Sequence, residues 1–241
     1  MYKMRFLLIG LVCPVFFMMA QTGTKLRFEM LTDSIYAYTT RQMYSGSPFP
    51  SNSLYLVTKE GVVLIDTPWD ETQFQPLLDS IQKRHGQKVV MCIATHFHED
   101  STAGLEYYAS QGITTWSSRY TLDLCREHGF KQAQYVFEKD TVFNVGGYAF
   151  EAFYPGEGHT KDNIVVWLAK DRVLYGGCLI KSHENDGLGN VADANISAWD
   201  ETIKRLLDRY KRPAIVVPGH FAWSRGRKAL KHTLKILEKS Q

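Results

Sequence analysis

The sequence predicts an α/β fold in which two β-sheets pack as a sandwich with helices on the outside. Apolar strands alternate with amphipathic helices, and two strand-rich halves, roughly residues 26–140 and 141–241, each finish in helices. The chain has 241 residues and is 44% hydrophobic, which is enough apolar material for a full core and excludes a disordered chain.

In the first half, apolar and polar residues alternate loosely over residues 26–40, which predicts one or two antiparallel strands. Turn-forming residues at 44–52 predict the tip of a hairpin. This tip carries Tyr44 and Phe49, which either clamp an apolar substrate or fold back onto their own hairpin. Periodicity then predicts strands at 54–57, 61–67, 89–95 and 113–116, and helices at 70–85, 104–111 and 118–128.

The second half repeats the pattern of buried strands that end at reactive side chains. Ser197 is predicted to cap a helix whose apolar side includes Trp199 and Leu206. A last amphipathic helix is predicted from about Ser224. The predicted strands lie at 141–143, 148–153, 164–168, 172–178 and 214–217.

The N-terminus predicts a secretory signal peptide over residues 1–20, because Lys3 and Arg5 precede a short apolar run. A short membrane anchor is the alternative. Removal of this segment lowers the formal net charge from +3 to +1, which indicates no basic surface for nucleic acid. We therefore expect residues 21–241 to form a single periplasmic domain, monomeric and without a membrane partner.

Three cysteines remain after residue 20, an odd number for a compartment in which structural cysteines form disulfides. Cys92 lies in a predicted apolar strand and Cys125 in a predicted helix, so both are expected to be buried small hydrophobes. Cys178 follows Gly176 and Gly177, which are expected to let the backbone approach an ion. Cys178 is therefore a candidate metal ligand.

The segment His96-Phe97-His98-Glu99-Asp100 directly follows the predicted strand at 89–95. It offers two imidazoles and a carboxylate within five residues, whereas a pair of histidines alone is common by chance. Imidazole nitrogens suit zinc better than magnesium or calcium, which prefer oxygen ligands.

Four predicted strands end at Asp66, at this motif, at Cys178 and at His220, and a loop adds His159. Side chains at strand ends on one edge of a sheet converge. Three imidazoles can make one zinc site with an open position, and aspartate, cysteine and histidine a second, which favours catalysis. The candidate ligands are His96, His98, His159, Asp100, Cys178 and His220.

Several motifs resemble those of the class B metallo-β-lactamases, and the resemblance spans nearly all of the chain after residue 20. Ser101 and His96 favour the dizinc subclass with a cysteine ligand. Other hydrolases of the fold carry a second histidine where Ser101 stands, and the monozinc subclass has asparagine where His96 stands. The motifs are His96-x-His98-x-Asp100, Gly158-His159-Thr160, Gly176-Gly177-Cys178-x-x-Lys181, Gly189-Asn190 and Pro218-Gly219-His220.

The resemblance implies an αββα sandwich with two zinc ions per chain at one edge of the sheets. It also implies a zinc-dependent β-lactamase that opens the lactam amide of penicillins, cephalosporins and carbapenems and so confers antibiotic resistance. Three histidines would hold one ion, and Asp100, Cys178 and His220 the other. A zinc-bound hydroxide, available at neutral pH, would be the nucleophile.

The resemblance further implies roles for four polar residues. Asp100 would orient the hydroxide, and Asn190 would help to polarise the carbonyl oxygen. Lys181 would pair with the carboxylate that these substrates share. Asp66 matches a carboxylate that supports the metal ligands from behind, with capping of the helix at 70–85 as its alternative.

Three other functions account for less of the sequence. A hydrolase of the same fold acting on thioesters or lactones would have no need of Lys181 and Asn190, which serve an amide that carries a carboxylate. A zinc-binding protein without catalysis would close its coordination shell, and an adhesin or scaffold explains none of the ligands. His183 is a further candidate for contact with substrate, whereas His128 is expected only to stabilise a helix end.

Overall fold

The computed structural model describes residues 26–240, so the predicted signal peptide at 1–20 lies outside the described residues. Two β-sheets face each other, and helices cover their outer faces. The predicted αββα sandwich is thereby confirmed. Within the described part of the chain, no helix is long and apolar enough to cross a membrane.

The first sheet contains the strands of the first half in chain order. Neighbours from β1 to β4 are antiparallel, and those from β4 to β7 are parallel. Its strands are β1 (Arg27–Met30), β2 (Ile35–Tyr44), β3 (Ser47–Thr58), β4 (Gly61–Ile65), β5 (Val89–Ile93), β6 (Thr114–Ser118) and β7 (Tyr135–Phe137).

The second sheet begins at Thr141, close to the predicted boundary between the two halves. Its order is β13-β12-β11-β10-β9-β8, and the pair β11 and β12 is parallel while the others are antiparallel. Its strands are β8 (Thr141–Val145), β9 (Tyr148–Phe153), β10 (Val165–Leu168), β11 (Val173–Gly177), β12 (Ile215–Pro218) and β13 (Ser224–Arg225).

The helices fall into two groups that match the two sheets. Helices from the segment between Phe74 and His128 pack on the first sheet. Helices α5 and α6 pack on the second sheet. Their bounds are α1 (Phe74–His85), α2 (Glu99–Thr102), α3 (Leu105–Ser110), α4 (Arg119–His128), α5 (Ile196–Arg209) and α6 (Lys228–Ser240).

Apolar side chains form one central core between the sheets and one core under each helical layer. In β3, Leu54 and Leu56 point into the central core, whereas Tyr55 between them points to the helices. In β11, Tyr175 likewise points into the central core, and Leu174 points to the helices. Because such strands are buried on both faces, their sequences read as continuous apolar runs.

Several predicted element boundaries were wrong. The hairpin tip expected at 44–52 is only the two residues 45 and 46, because β3 already begins at Ser47. The helix expected from residue 70 opens with a 3-10 turn at Glu71–Gln73, and α1 ends as predicted at Gly86, with φ 67°. Asn195, rather than Ser197, caps α5, because its side chain accepts a hydrogen bond from the backbone N–H of Ala198. The chain from Ser224 first pairs with β12 as a short strand, which delays the last helix.

Candidate metal centre

The segments that follow β4, β5, β11 and β12 meet at one edge of the sandwich, as the strand-end argument predicted. They line a cavity of about 580 Å³ whose walls include His98, Asp100, His159 and His220. Sheet geometry brings these residues together although the chain separates some of them by more than a hundred positions.

Three histidines form one group of facing nitrogens. One potential ligand atom from each of His96, His98 and His159 lies within 4.8 Å of the other two. His98 Nδ1 is 3.2 Å from His159 Nε2. His96 Nε2 is buried without a hydrogen-bond partner among the described residues, although Asp100 Oδ1 lies 3.4 Å away. Converging imidazole nitrogens, of which that of His96 is buried without a hydrogen-bond partner, are an arrangement that a metal ion would satisfy.

A second group of mixed donors lies beside the first. Cys178 Sγ is 3.1 Å from Asp100 Oδ2 and 3.2 Å from His220 Nε2. His220 Nε2 is in turn 3.4 Å from Asp100 Oδ2. His96 also shares a close group with Asp100 and Cys178, so it faces both sets of donors. The structure thus assembles all the candidate ligands.

The glycine that makes room for the sulfur differs from the ones expected. A Cβ on Gly219 would lie 2.6 Å from Cys178 Sγ, so a side chain there would collide with the thiol. A Cβ on Gly176 would instead meet Ile180 Cδ1 at 2.1 Å, and Gly177 has φ 52°. Gly176 and Gly177 therefore serve packing and a left-handed turn.

The charges around these donors favour a cation. Burial lowers the pKa of His159 well below its usual range, which keeps this imidazole neutral. Burial alone would raise the pKa of Asp100, but the close contact and charge of His96, and then the charge of His220, hold it well below its usual range. Burial, followed by the Asp100 carboxylate, raises the pKa of the Cys178 thiol. Imidazoles beside a carboxylate and a sulfur form a donor set that fits zinc.

Asp66 supports the ligands from behind and does not cap a helix. Its carboxylate accepts hydrogen bonds from Thr95 N at 2.7 Å, Thr95 Oγ1 at 2.8 Å and Tyr175 OH at 2.7 Å. It also accepts one from Ser101 Oγ. Thr95 precedes His96 and Ser101 follows Asp100, so this carboxylate holds both ends of the ligand motif.

Two groups that orient the histidines were not predicted from the sequence. Asp193 Oδ2 lies 3.0 Å from His98 Nε2, and the carbonyl oxygen of Pro50 lies 2.8 Å from His220 Nδ1. Each contact holds the ring nitrogen that faces away from the other candidate ligands, a common arrangement behind metal-binding histidines. Both partners sit in irregular or hairpin segments, where no sequence pattern marks them.

The hairpin tip reaches over the site. The ring centre of Phe49 lies 4.8 Å from that of His220, and Tyr44 lies 5.7 Å from Phe49. The two rings thus contact each other and also line the cavity. Trp69, which was not predicted from the sequence, also lines the cavity. Its ring centre lies 6.0 Å from that of Tyr44. Its position directly after the strand that ends near Asp66 could have indicated it.

A second aromatic wall lines the cavity through Phe97, His128 and Phe130. The ring centre of Phe97 is 4.7 Å from that of His128 and 5.9 Å from that of Phe130. His128 does end a helix, as predicted, but it also faces the cavity. His183 is not among the residues that line this cavity, so the structure does not place it at the site.

Lys181 and Asn190 both line the cavity. Lys181 is only 6% exposed, its Nζ lies 5.1 Å from the ring centre of Trp199, and it has no ion-pair partner among residues 26–240. Asn190 is exposed, and its Oδ1 accepts a hydrogen bond from Ala192 N at 3.1 Å. A buried ammonium without a counter-ion is a ready partner for an anionic ligand.

The sequence profile of the metallo-β-lactamase superfamily matches residues 46–220. The chain is 40% identical over 221 residues to metallo-β-lactamase type 2 of Elizabethkingia meningoseptica, covering 92% of this chain and 88% of that protein. It is 37% identical to metallo-β-lactamase type 2 of Bacillus cereus, covering 90% and 84%. The solved structure of a metallo-β-lactamase from Pontibacter korlensis matches with a TM-score of 0.86 and 37% identity, covering 89% of this chain and 99% of that one.

The matched region runs through every candidate ligand, from His96 to His220. The likeness extends over most of both chains, in sequence and in fold, so it is not limited to a shared motif. The identification made from short motifs is thereby confirmed. With the same fold, the same sequence profile and the predicted donor groups assembled at one edge, the chain belongs to the metallo-β-lactamase superfamily.

Proposed function

We propose that this metallo-β-lactamase hydrolyses the lactam amide of penicillins, cephalosporins and carbapenems and thereby confers antibiotic resistance. The observation that carries the proposal is the juxtaposition of two donor groups with an unpaired buried ammonium, that of Lys181, in one cavity of about 580 Å³. That volume suits a drug-sized molecule. A metal centre beside a cationic anchor fits an amide substrate that carries a carboxylate.

Two zinc ions per chain complete this proposal. His96, His98 and His159 would hold one, and Asp100, Cys178 and His220 the other. When bound, zinc supplies a Lewis acid and a water that ionises near neutral pH. The donor types fit zinc, because imidazole, carboxylate and thiolate are its usual protein ligands.

The side chains of the protein position the substrate. Lys181 Nζ would pair with the substrate carboxylate, since it lines the cavity and forms no ion pair with any residue between 26 and 240. The side-chain amide of Asn190 would donate to the lactam carbonyl oxygen, because its own Oδ1 is already occupied by Ala192 N. Phe49 and Trp69 would cover apolar substituents and exclude water from the reacting bond.

We further propose that residues 1–20 are a signal peptide and that residues 21–241 act in the periplasm as a single monomeric domain. The basic start and short apolar run of residues 1–20 support this.

The proposed function is tested by hydrolysis of a carbapenem, a cephalosporin and a penicillin by purified residues 21–241. We expect turnover that disappears with a chelator and returns when zinc is added, at about two zinc ions per chain by elemental analysis. Thioester and lactone substrates serve as the comparison. Bound zinc with thioester or lactone turnover and no lactam turnover would mean that the site is right and the substrate wrong.

Replacing Lys181 with methionine is expected to raise KM for lactams that carry a carboxylate by roughly 10-fold or more, because a hydrogen bond to a charged group contributes about 1.5–3 kcal/mol. Methionine keeps most of the aliphatic stem that packs beside Trp199. Steady-state kinetics with a carboxylate methyl ester of the same lactam is the control, since its KM should not change. An unchanged KM for the carboxylate form would remove Lys181 from substrate binding.

A further inference from the structure

The charge of the described chain is divided between its C-terminal helix and the rest. Residues 225–240 contain six basic residues and one acidic residue, a formal net charge of +5. Residues 26–224 contain nineteen basic and twenty-four acidic residues, a formal net charge of −5. The near-neutral total therefore hides a strong separation of charge, with the positive end at α6.

The lysines of α6 form one straight row. Lys228, Lys231, Lys235 and Lys239 are spaced by three, four and four residues, which places them on one face of an α-helix. All four are exposed, while Leu230, Ile236 and Leu237 on the opposite face are buried. At 1.5 Å rise per residue the row is about 16 Å long.

This basic row has no counter-ions of its own. None of its four lysines forms an ion pair or a side-chain hydrogen bond with any residue between 26 and 240. Arg225 and Arg227, just before the helix, form no ion pair within that range either. A row of unpaired positive charges repels itself, and an external anion would relieve that repulsion.

The basic row is not part of the cavity wall, because none of its lysines lines the cavity that the candidate ligands face. The buried face of α6 packs on β12 and α5, so the row points outward from the helical layer over the second sheet.

We propose that the exposed face of α6 docks on an anionic phospholipid surface. Its straight row of lysines stands on a convex helix rather than in a groove, which fits a broad planar surface. Residues 225–240 offer no large exposed apolar or aromatic side chain for stacking on bases, which disfavours a single-stranded nucleic acid. The negative remainder of the molecule would be repelled by the same surface and would orient α6 towards it.

This proposal replaces the expectation, drawn from the sequence, of no membrane partner. It concerns peripheral contact through charge and does not depend on the proposed β-lactamase activity. Each lysine close to an anionic surface contributes roughly fivefold to binding, so four lysines give a measurable effect. Salt should weaken the contact, because charges are screened beyond about 10 Å at 0.1 M ionic strength.

The test is co-sedimentation of residues 21–241 with vesicles of phosphatidylcholine, alone or with about one-third phosphatidylglycerol, in low salt. We expect binding only to the anionic vesicles and a loss of about tenfold or more when Lys228, Lys231, Lys235 and Lys239 are all replaced by glutamine. The matched control replaces four exposed lysines elsewhere, Lys59, Lys83, Lys88 and Lys139, by glutamine. It changes the net charge equally and should bind within about twofold of the unsubstituted protein.

Three results would overturn the proposal. Equal loss in both variants would mean that net charge alone acts. Equal binding to neutral and anionic vesicles would exclude a charge-based contact. Tighter binding to duplex DNA than to anionic vesicles at the same salt concentration would assign the row to a nucleic acid. Circular dichroism of each variant separates loss of binding from loss of folding.

Discussion

Replacing Asp100 with asparagine is expected to lower kcat/KM for β-lactams by on the order of 100-fold or more, since even residues that only support a metal ligand contribute about 10–100-fold. The two carboxylate oxygens of Asp100 lie 3.1–3.4 Å from the nearest nitrogen of His96, that of His220 and the sulfur of Cys178. Asparagine keeps the shape but removes the negative charge at the junction of the two donor groups. We therefore also expect the zinc content to fall from about two ions towards about one.

The control for Asp100→Asn is Glu99→Gln, which makes the same chemical change at the neighbouring residue. Glu99 is exposed and lines the cavity without joining either donor group. Zinc content by elemental analysis and steady-state kinetics are measured for both variants. Equal losses in the two variants, or full zinc content and activity in Asp100→Asn, would contradict the assignment of Asp100 as a ligand.

Replacing Asp66 with alanine is expected to lower the free energy of unfolding by about 2 kcal/mol or more, because each buried polar group left without a partner costs about 1–3 kcal/mol. The substitution would leave the hydroxyls of Thr95 and Ser101 without an acceptor, whereas Thr95 N keeps Ser101 Oγ and Tyr175 OH keeps the carbonyl oxygen of Asn52. Tyr175 belongs to the second sheet, so the loss would also remove a polar link between the two sheets. Chemical denaturation followed by circular dichroism measures the effect.

Asp70→Ala is the matched control for Asp66→Ala. Asp70 accepts a hydrogen bond from Thr72 N at the start of the 3-10 turn, where the loss of such a cap costs about 1 kcal/mol. A larger loss of stability at Asp70 than at Asp66 would contradict the role assigned to the buried carboxylate. It would instead favour the alternative in which helix capping is the important contribution of this region.

The sequence was sufficient to predict those donors of the site that directly follow an apolar strand. His96, His98 and Asp100 stand within five residues after an apolar run, so both the strand and its donors are readable from neighbouring positions. Cys178 and His220 also follow apolar runs. The common feature is a buried strand that ends in a residue able to bind metal.

The contacts that orient the histidines could not be predicted from such local patterns. Asp193 meets His98 across 95 positions, and Pro50 meets His220 across 170. Neither belongs to a periodic pattern. The same holds for the aromatic wall at His128, where helix-end chemistry explained the histidine without showing that its ring faces the cavity.

The types and positions of the donors, the division into two strand-rich halves and a sandwich of two sheets with helices outside could all be derived from the sequence, because apolar periodicity and local turn chemistry depend on near neighbours. The tertiary structure alone decided which nitrogen of each histidine faces the site and which glycine makes room for the sulfur of Cys178. It also decided that the lysine row of α6 is exposed and does not line the cavity. These depend on how the two sheets and the helices around them pack, and packing joins residues that no local pattern connects.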